Sequence, residues 1–482
     1  MLEKPHVIII MADQLRYDAL GPHTPNINRI IQDGYSFNRA YCASPLCVPA
    51  RGSFFTGLYP NETGCIINPW EPLDREHGIV RKGVATLYER LEKDWDSWHT
   101  GKQHLYTEER LESREQNRTH WNSLEVNYKP FLERNGKRVP GGHSFTGLVP
   151  EMAHGTTTRV KRYSIPQTGC YEDGFDYFYD GFITNTSLDA IRQRDRNKPF
   201  LLNAMYLAPH PPFDVPEPWY SSIMDVQLPD NVGVWGRNQS PLQLYNLTGA
   251  IGTRYDREDW EQVWKVYLGL VKLLDYGIGL LIRELEAQEI YDDSLIVFTS
   301  DHGEMLGSHC LWQKMCMYEE SIRTPLIIKF PKSLGHIKGA SDEYVSSIDI
   351  FPTLCDYLGI PIPKNISGRS LKSVIEDQAK GREQVFVQFD GNGGRGNFQR
   401  CILEDGWKLI VDIFKDEIYL ELYNLKTDSQ EMNNLVFEKS SHELTQALIG
   451  KLRTHMESTN DLLTLPVDLY DRFLEQYLPF KK

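Results

Sequence analysis

The sequence predicts an α/β fold, a mixed and mostly parallel sheet sandwiched by helices, followed by a smaller α+β domain. Three observations predict it. Val7-Ile8-Ile9-Ile10, Pro199 to Leu207 and Leu295 to Thr299 are short apolar runs, as strands buried on both faces of a parallel sheet require. Trp260 to Gln288 has the spacing of a long amphipathic helix that covers such a sheet. Beyond residue 380 the pattern changes to short strand-like runs (Gln384 to Phe389, Cys401 to Leu403, Trp407 to Val411, Ile418 to Tyr423) and a helix, Glu443 to Ser458. The motifs spread over most of the length, so two domains are expected, 1–380 and 381–482, with residues 105–194 as an insertion.

Taken in order, the first apolar run delivers Met11-Ala12-Asp13-Gln14 at its carboxyl end, where α/β sheets bind ligands. Asp13 is therefore either a ligand or a helix N-cap. Thr24 to Asp33 reads as a helix, and Tyr35 to Tyr41 leads to Ser44-Pro45-Leu46-Cys47-Val48-Pro49-Ala50-Arg51-Gly52. Pro49 suits a first helical turn, Ala50 to Thr56 can continue it, and Gly57 stops it. Cys47 thus sits at a helix N-terminus, where free N–H groups favour an anion or an activated nucleophile.

Asn68 follows, then a helix from Gly83 to Lys93, and a strand and turn from Trp95 that deliver Lys102-Gln103-His104. Leu105 to Arg194 is polar and poorly periodic, a loop-rich insertion in which Arg159, Lys161 and Arg162 read as solvated; only Asp180 to Arg194 regains helical spacing. Pro199 to Leu207 delivers Ala208-Pro209-His210-Pro211-Pro212, whose prolines hold the imidazole in one direction. Leu295 to Thr299 delivers Ser300-Asp301-His302-Gly303-Glu304, followed by His309 and Lys314. Pro325 to Phe330 reads as another strand, and Ser346 to Leu358 as a strand end running into a helix. The Gly-rich stretch Asp390 to Gln399, with Arg395, reads as a solvent-exposed turn that could also touch a substrate.

Forty percent hydrophobic and 24% charged residues describe a soluble globular chain. The formal charge of −14 argues against nucleic acid or an anionic membrane as partner, and leaves room for a small anion in a local cationic pocket. No signal-peptide pattern or membrane-length apolar stretch is found, and the eight cysteines form no metal-ligand pairs, so a cytoplasmic protein is expected.

Cys47-x-Pro49-x-Arg51, with Gly52 and Phe55-Thr56-Gly57-Leu58-Tyr59-Pro60, resembles the signature of the type I sulfatases of the alkaline phosphatase superfamily, whose cysteine is oxidised to Cα-formylglycine. Gly101-Lys102-Gln103-His104 resembles their Gly-Lys-x-His segment. Pro209-His210-Pro211-Pro212 resembles a stretch of sulfatases and of phosphonate monoester hydrolases. The run from Asp301 to Pro325, and Leu422-Tyr423-Asn424-Leu425 with Asp428 and Glu431 to Leu435, resemble further family segments. The resemblance implies an alkaline phosphatase-like fold, a formylglycine-generating enzyme as partner and one divalent metal, Ca2+ before Mn2+ or Mg2+. Asp13, Gln14, Asp301 and His302 supply suitable donors for that metal. Here Asp13-Gln14 stands where many sulfatases carry two adjacent carboxylates, as in phosphonate monoester hydrolases and some bacterial sulfatases.

The implied reaction is attack of the residue 47 hydrate on a sulfate ester. Arg51, Lys102 and Lys314 would neutralise the ester oxygens, His210 would protonate the leaving alcohol, His104 would hold the hydrate and Asn68 would contact the ester. His309 reads as a supporting or simply buried residue. A small sulfated mono- or disaccharide is the expected substrate. A phosphonate monoester or phosphodiester hydrolase with the same nucleophile, and a non-catalytic anion-binding protein with an unmodified Cys47, are the alternatives. The tail from Asp461 onward would dock on its own core or on a second subunit of a homo-oligomer.

Overall fold

The first apolar run forms strand β1, His6–Asp13, buried along its whole length at the centre of the sheet. The structure, a computed structural model, describes residues 4–154, 157–335 and 337–478. In chain order the next strands are β2 Tyr35–Tyr41, β3 Asp96–Gly101, β4 Thr119–Ser123, β5 Thr146–Ala153, β6 Thr157–Ser164, β7 Thr168–Tyr171 and β8 Phe200–Pro209. They are followed by β9 Phe213–Pro216, β10 Ser294–Ser300, β11 Leu326–Lys329 and β12 Gly339–Ser346. The main sheet has the order β12-β2-β11-β10-β1-β8-β3-β4. Only β11 runs antiparallel to its neighbours.

Register explains why distant parts of the chain meet. Strand β1 pairs in parallel with β10, Ala12 opposite Ser300, and with β8, Asp13 opposite Pro209. Strand β8 pairs in parallel with β3, Met205 opposite Gly101. The residues at and just after these strand ends, Asp13, Asp301, His210 and Lys102, therefore emerge together at the carboxyl ends of the interior strands.

Side-chain alternation along β1 builds the two layers. Ile8, Ile10 and Ala12 pack in a core with Trp260, Val263 and Tyr267 of the helix Arg257–Ala287. Val7, Ile9 and Met11 pack on the other face with Phe54 and Phe55 of the helix Cys47–Thr56 and Phe351 of the helix Ile350–Tyr357. No helix among the described residues is long and apolar enough to cross a membrane.

Two elements differ from expectation. The helix expected over Gly83 to Lys93 is only Leu87–Leu91, because Thr86 and Glu89 form a capping box that starts it later. The insertion ends in the expected helix, here Tyr179–Gln193, but is otherwise less loop-rich than its composition suggests: it also supplies edge strand β4 and the hairpin β5–β6. In it Arg159 pairs with Glu71 and Glu151, so it is not solvated.

The C-terminal part is an antiparallel sheet of β13 Gln384–Phe389, β14 Phe398–Glu404, β15 Trp407–Phe414 and β16 Glu417–Asn424. The helix His442–Ser458 covers it. Leu469, Tyr470 and Phe473 of the helix Leu469–Tyr477 bury themselves in this same core. The sheet is fastened to the larger part by a buried cation. Lys408 Nζ lies 2.8 Å from Glu319 Oε1 and 2.7 Å from Glu431 Oε1, and donates to the Met317 carbonyl at 3.1 Å.

The imidazoles of His6 and His99 are buried in the fold. His6 accepts from the Phe200 N–H at 2.9 Å and His99 meets the Tyr88 hydroxyl at 2.7 Å. Burial, with Arg194 adding to it, lowers His6 to about 4. Burial, aided by Arg51, lowers His99 to about 3. In the unfolded chain both rings protonate near 6.5, so as pH falls below that value the unfolded state binds protons first and stability falls. The loss ends once the folded rings protonate too. About 3 kcal/mol is at stake for His6 and about 5 kcal/mol for His99. Melting temperature should drop steeply below pH 6.5, and less steeply in His6→Gln; an equally steep acid limb would contradict this account.

Candidate active site at the sheet edge

Cys47 is the first residue of its helix, with Leu46 as an extended N-cap and Gly57 closing the other end at φ 71°. Its Sγ lies 3.2 Å from His302 Nε2, 3.9 Å from Asp13 Oδ1 and 3.7 Å from Lys102 Nζ. One turn later Arg51 spans two strand ends. Its Nε donates to Asp301 Oδ2 at 3.0 Å, its Nη2 to Asp13 Oδ2 at 3.1 Å and its Nη1 to the Lys102 carbonyl at 2.8 Å. Lys102 Nζ also donates to Asp13 Oδ2. Seven of the expected residues, Asp13, Gln14, Cys47, Arg51, Lys102, Asp301 and His302, thus form one buried cluster, and Lys314 joins it by donating to Gln14 Oε1 at 2.6 Å.

Electrostatics follow from this packing. Burial would raise Asp13, but Lys102 and Arg51 hold its carboxyl well below the usual range. Burial would lower Lys102 and Arg51, and their carboxylate partners raise both. Burial and Asp13 push the Cys47 thiol up, yet Lys102, Lys314 and His302 outweigh them and hold it below its ordinary value. An anion at position 47 is favoured, as a nucleophile needs.

The two remaining histidines stand beside the cluster. His210 Nδ1 donates to the Pro211 carbonyl at 2.5 Å, which leaves Nε2 free. Burial and the charges of Lys314 and Lys102 keep this ring neutral. His104, at φ 40°, has a buried Nδ1 without a hydrogen-bond partner, and its Nε2 lies 3.8 Å from Glu125 Oε1. Burial, Lys102 and Arg51 keep it neutral as well.

Asn68 is placed differently from a group reserved for an ester. Its Oδ1 accepts from the Val48 N–H at 3.2 Å and its Nδ2 donates to Asn392 Oδ1 at 3.0 Å, so it ties down the start of the nucleophile's helix. His309 lies fully buried, stacked on Tyr318 at 3.9 Å. The Gly-rich stretch is not a solvent-exposed turn: Asp390 to Gly394 are buried. It folds in because Arg400 donates to Asp390 Oδ1 at 2.8 Å and Asn392 meets Asn68.

Three supporting residues went unassigned in the sequence. Glu304 accepts from Gln14 Nε2, so the Gln14 amide is held at both ends and its oxygen turned toward Lys314. Asp180 Oδ1 accepts from the Leu207 and Ala208 N–H groups, both at 2.9 Å, and fixes the strand end that carries His210. Asn392 reaches in from the C-terminal part. Glu304 was in view within the Asp301 segment; neither Asp180 nor Asn392 carries a sequence signal, because each acts through a contact made only by folding.

The donors suit a divalent metal. One ligand atom each from Asp13, Cys47, Asp301 and His302 lies within 4.8 Å of the others, all buried. His302 Nδ1 donates to the Gly303 carbonyl at 3.0 Å, which leaves Nε2 as the ring nitrogen that faces the cluster. Two carboxylates, an amide oxygen and an imidazole are the mixed set that a hard or borderline cation accepts.

Comparison with known proteins agrees with this geometry. The family model "Sulfatase" matches residues 5–360, and "N-sulphoglucosamine sulphohydrolase, C-terminal" matches residues 307–458. An arylsulfatase of Clostridium perfringens is 26% identical over 492 residues, covering 95% of this chain and 96% of that one. The crystal structure of a phosphonate monoester hydrolase of Agrobacterium radiobacter superposes with a TM-score of 0.76 at 22% identity, over 95% and 96% of the two chains. A structure solved in complex with its substrate D-glucosamine-2-N,6-O-disulfate superposes with a TM-score of 0.71 at 22% identity, over 95% and 99%. With the larger part of its length covered by the family's own model, and an alkaline phosphatase-like fold around that cluster, the chain belongs to the sulfatase family and is an enzyme of that kind.

Proposed function

We propose that the protein hydrolyses sulfate esters of a small sulfated mono- or disaccharide in the cytoplasm, with Cys47 converted to formylglycine. The observation that carries this reading is the placement of Cys47 at a helix start, facing His302 at 3.2 Å with Lys102 at 3.7 Å. A hydrated formylglycine there supplies an oxygen nucleophile and a second hydroxyl whose ionisation releases sulfate, a step an ordinary serine or cysteine lacks. A divalent cation, Ca2+ by preference over Mn2+ or Mg2+, would be held by Asp13, Gln14, Asp301 and His302 and would supply Lewis-acid stabilisation of charge.

The chain's own side chains do the rest. Arg51 holds the two carboxylates in position, and Lys102 and Lys314 offer positive charge to the ester oxygens. His104 steadies the hydrate. His210 delivers a proton from Nε2 to the leaving alcohol; because its ring is neutral without substrate, the ester's negative charge must help it take up that proton. His210→Ala should therefore slow unactivated sugar sulfates about a hundredfold more than nitrophenyl sulfate, whose leaving group needs no acid. Equal losses on the two would remove His210 from this role.

Cys47, Val48, Pro49, Ala50 and Arg51 are all buried in the fold. A formylglycine-generating enzyme would have to act before this segment closes. The substrate assignment is supported by the solved neighbour that carries a doubly sulfated glucosamine.

Phosphonate monoester hydrolysis is the second reading, favoured by Asp13-Gln14 and by the Agrobacterium structure. Side-by-side kcat/KM values for 4-nitrophenyl sulfate and a phenylphosphonate ester test the choice. Preference for the sulfate is expected; the reverse order would replace the sulfatase reading.

A further inference from the structure

We propose that Arg395 binds a second anionic group, a sulfate or carboxylate, on the leaving-group sugar, a specificity role that rests on the sulfatase reading. The loop between β13 and β14 is fastened on both flanks of the reaction centre. On one side Asn392 meets Asn68, which holds the Val48 N–H next to Cys47. On the other, Gln399 Nε2 donates to the Met315 carbonyl at 3.2 Å, next to Lys314. Along the chain, Arg395 lies between these two anchors.

The loop is built to hold one shape. Gly391 and Gly393 have φ of 116° and 78°, and a Cβ on Gly391 would sit 2.2 Å from the Gly394 carbonyl oxygen. The Gly393 carbonyl accepts from the Glu71 N–H at 3.0 Å, and the Arg395 N–H donates to Asp74 Oδ2 at 3.0 Å. Arg159 of the insertion adds a bond to the Asn392 carbonyl at 2.8 Å. Backbone fixed in this way costs a ligand little ordering entropy.

Against that order, the Arg395 guanidinium is left unused. Among the described residues it makes no ion pair and no hydrogen bond, and its buried Nε has no partner. It lies over the Phe398 ring at 5.6 Å, a weak contact at that distance. The acids around the loop are committed elsewhere. Glu71 pairs with Arg159 and Lys161, Asp74 with His154, and Asp390 with Arg400. A half-buried, unpaired guanidinium on a rigid loop beside a sulfate-ester site has the fork that suits a planar or tetrahedral anion.

Calorimetry tests this on metal-loaded, full-length Cys47→Ala protein, which binds sugars without turning them over. The probes are glucosamine 6-sulfate, with one anionic group, and glucosamine 2-N,6-O-disulfate, with two. The disulfate should bind about tenfold more tightly, as a charge-assisted pair provides. Arg395→Ala, and the close-sized Arg395→Gln as a second variant, should erase that difference, and Arg395→Lys should restore part of it. Equal affinities for the two probes before any change at 395, or equal weakening of both by Arg395→Ala and Arg395→Gln, would overturn the proposal. Turnover of 4-nitrophenyl sulfate by the unaltered enzyme tests the sulfatase reading separately. A two-anion preference that depends on Arg395 supports the subsite even where that turnover is lacking.

Discussion

Cys47→Ala should abolish hydrolysis of aryl sulfates, a fall of about 10^5-fold or more in kcat, the scale on which enzymes lose rate when their nucleophile is removed. The substitution removes the atom 3.2 Å from His302 Nε2 and leaves the surrounding charges in place. Folding should be little affected, because alanine fits a helix start and, among the described residues, the lost Sγ makes no other hydrogen bond than those to His302, Asp13 and Lys102. The companion measurement is mass spectrometry of the peptide that contains Cys47, with hydrazide labelling of the active protein. An aldehyde in place of the thiol is expected. A fully active preparation that carries only free thiol would end the formylglycine mechanism and bring back the reading of Cys47 as an ordinary buried cysteine.

Arg51→Met should have the second largest effect. Arg51 is buried between Asp13 and Asp301, which are themselves 0% and 3% exposed. Removing one partner from a buried charge network leaves the other uncompensated, at a cost of about 3–5 kcal/mol. Asp301 suffers more than Asp13, because Lys102 remains on Asp13. Melting temperature should fall by several degrees, and added divalent metal should raise it more in Arg51→Met than in the parent, since the cation replaces the missing charge. Turnover should fall about a thousandfold with the loss of a preorganised donor. Arg51→Lys should recover charge without the two-ended grip, and so stability more than rate. A variant that melts with the parent and responds equally to metal would show that Arg51 does not carry this charge balance.

Much of the site was legible because strand ends announce themselves. Mostly apolar runs at Val7–Ile10, Pro199–Leu207 and Leu295–Thr299 mark where the chain leaves the sheet, which makes the polar residues just beyond them candidates for a site, and the family resemblance chose among them. The helix start at Cys47 was legible from Pro49 and Gly57. What stayed hidden depended on pairing across the chain. Strand β4, Thr-His-Trp-Asn-Ser, lies at the sheet's edge and lacks the apolar run that marks its interior strands. The antiparallel direction of β11 is decided by its neighbours and leaves no mark on its own composition. The burial of Asp390 to Gly394 contradicts their polar, glycine-rich look, because their polar groups are satisfied by partners such as Asn68 and Arg400, the first 324 residues away. Asn68 was placed near the ester by analogy, and its two amide ends turn out to be engaged in holding Val48 and Asn392.

The position of Lys408 bears on how such enzymes can be recombined. A splice near residue 380 looks convenient, since the chain passes there from one sheet to the other. Yet the ammonium on the later side is fully buried and answers two glutamates, one from each side of the cut. A chimera that brings in a foreign C-terminal sheet without a lysine in that register would leave buried Glu319 with only the part-exposed Arg323 as counter-charge, and one that keeps the lysine but loses Glu319 would leave the cation with Glu431 alone. Exchanging the later segment to borrow a relative's sugar preference would therefore require carrying the 317–320 segment along with it.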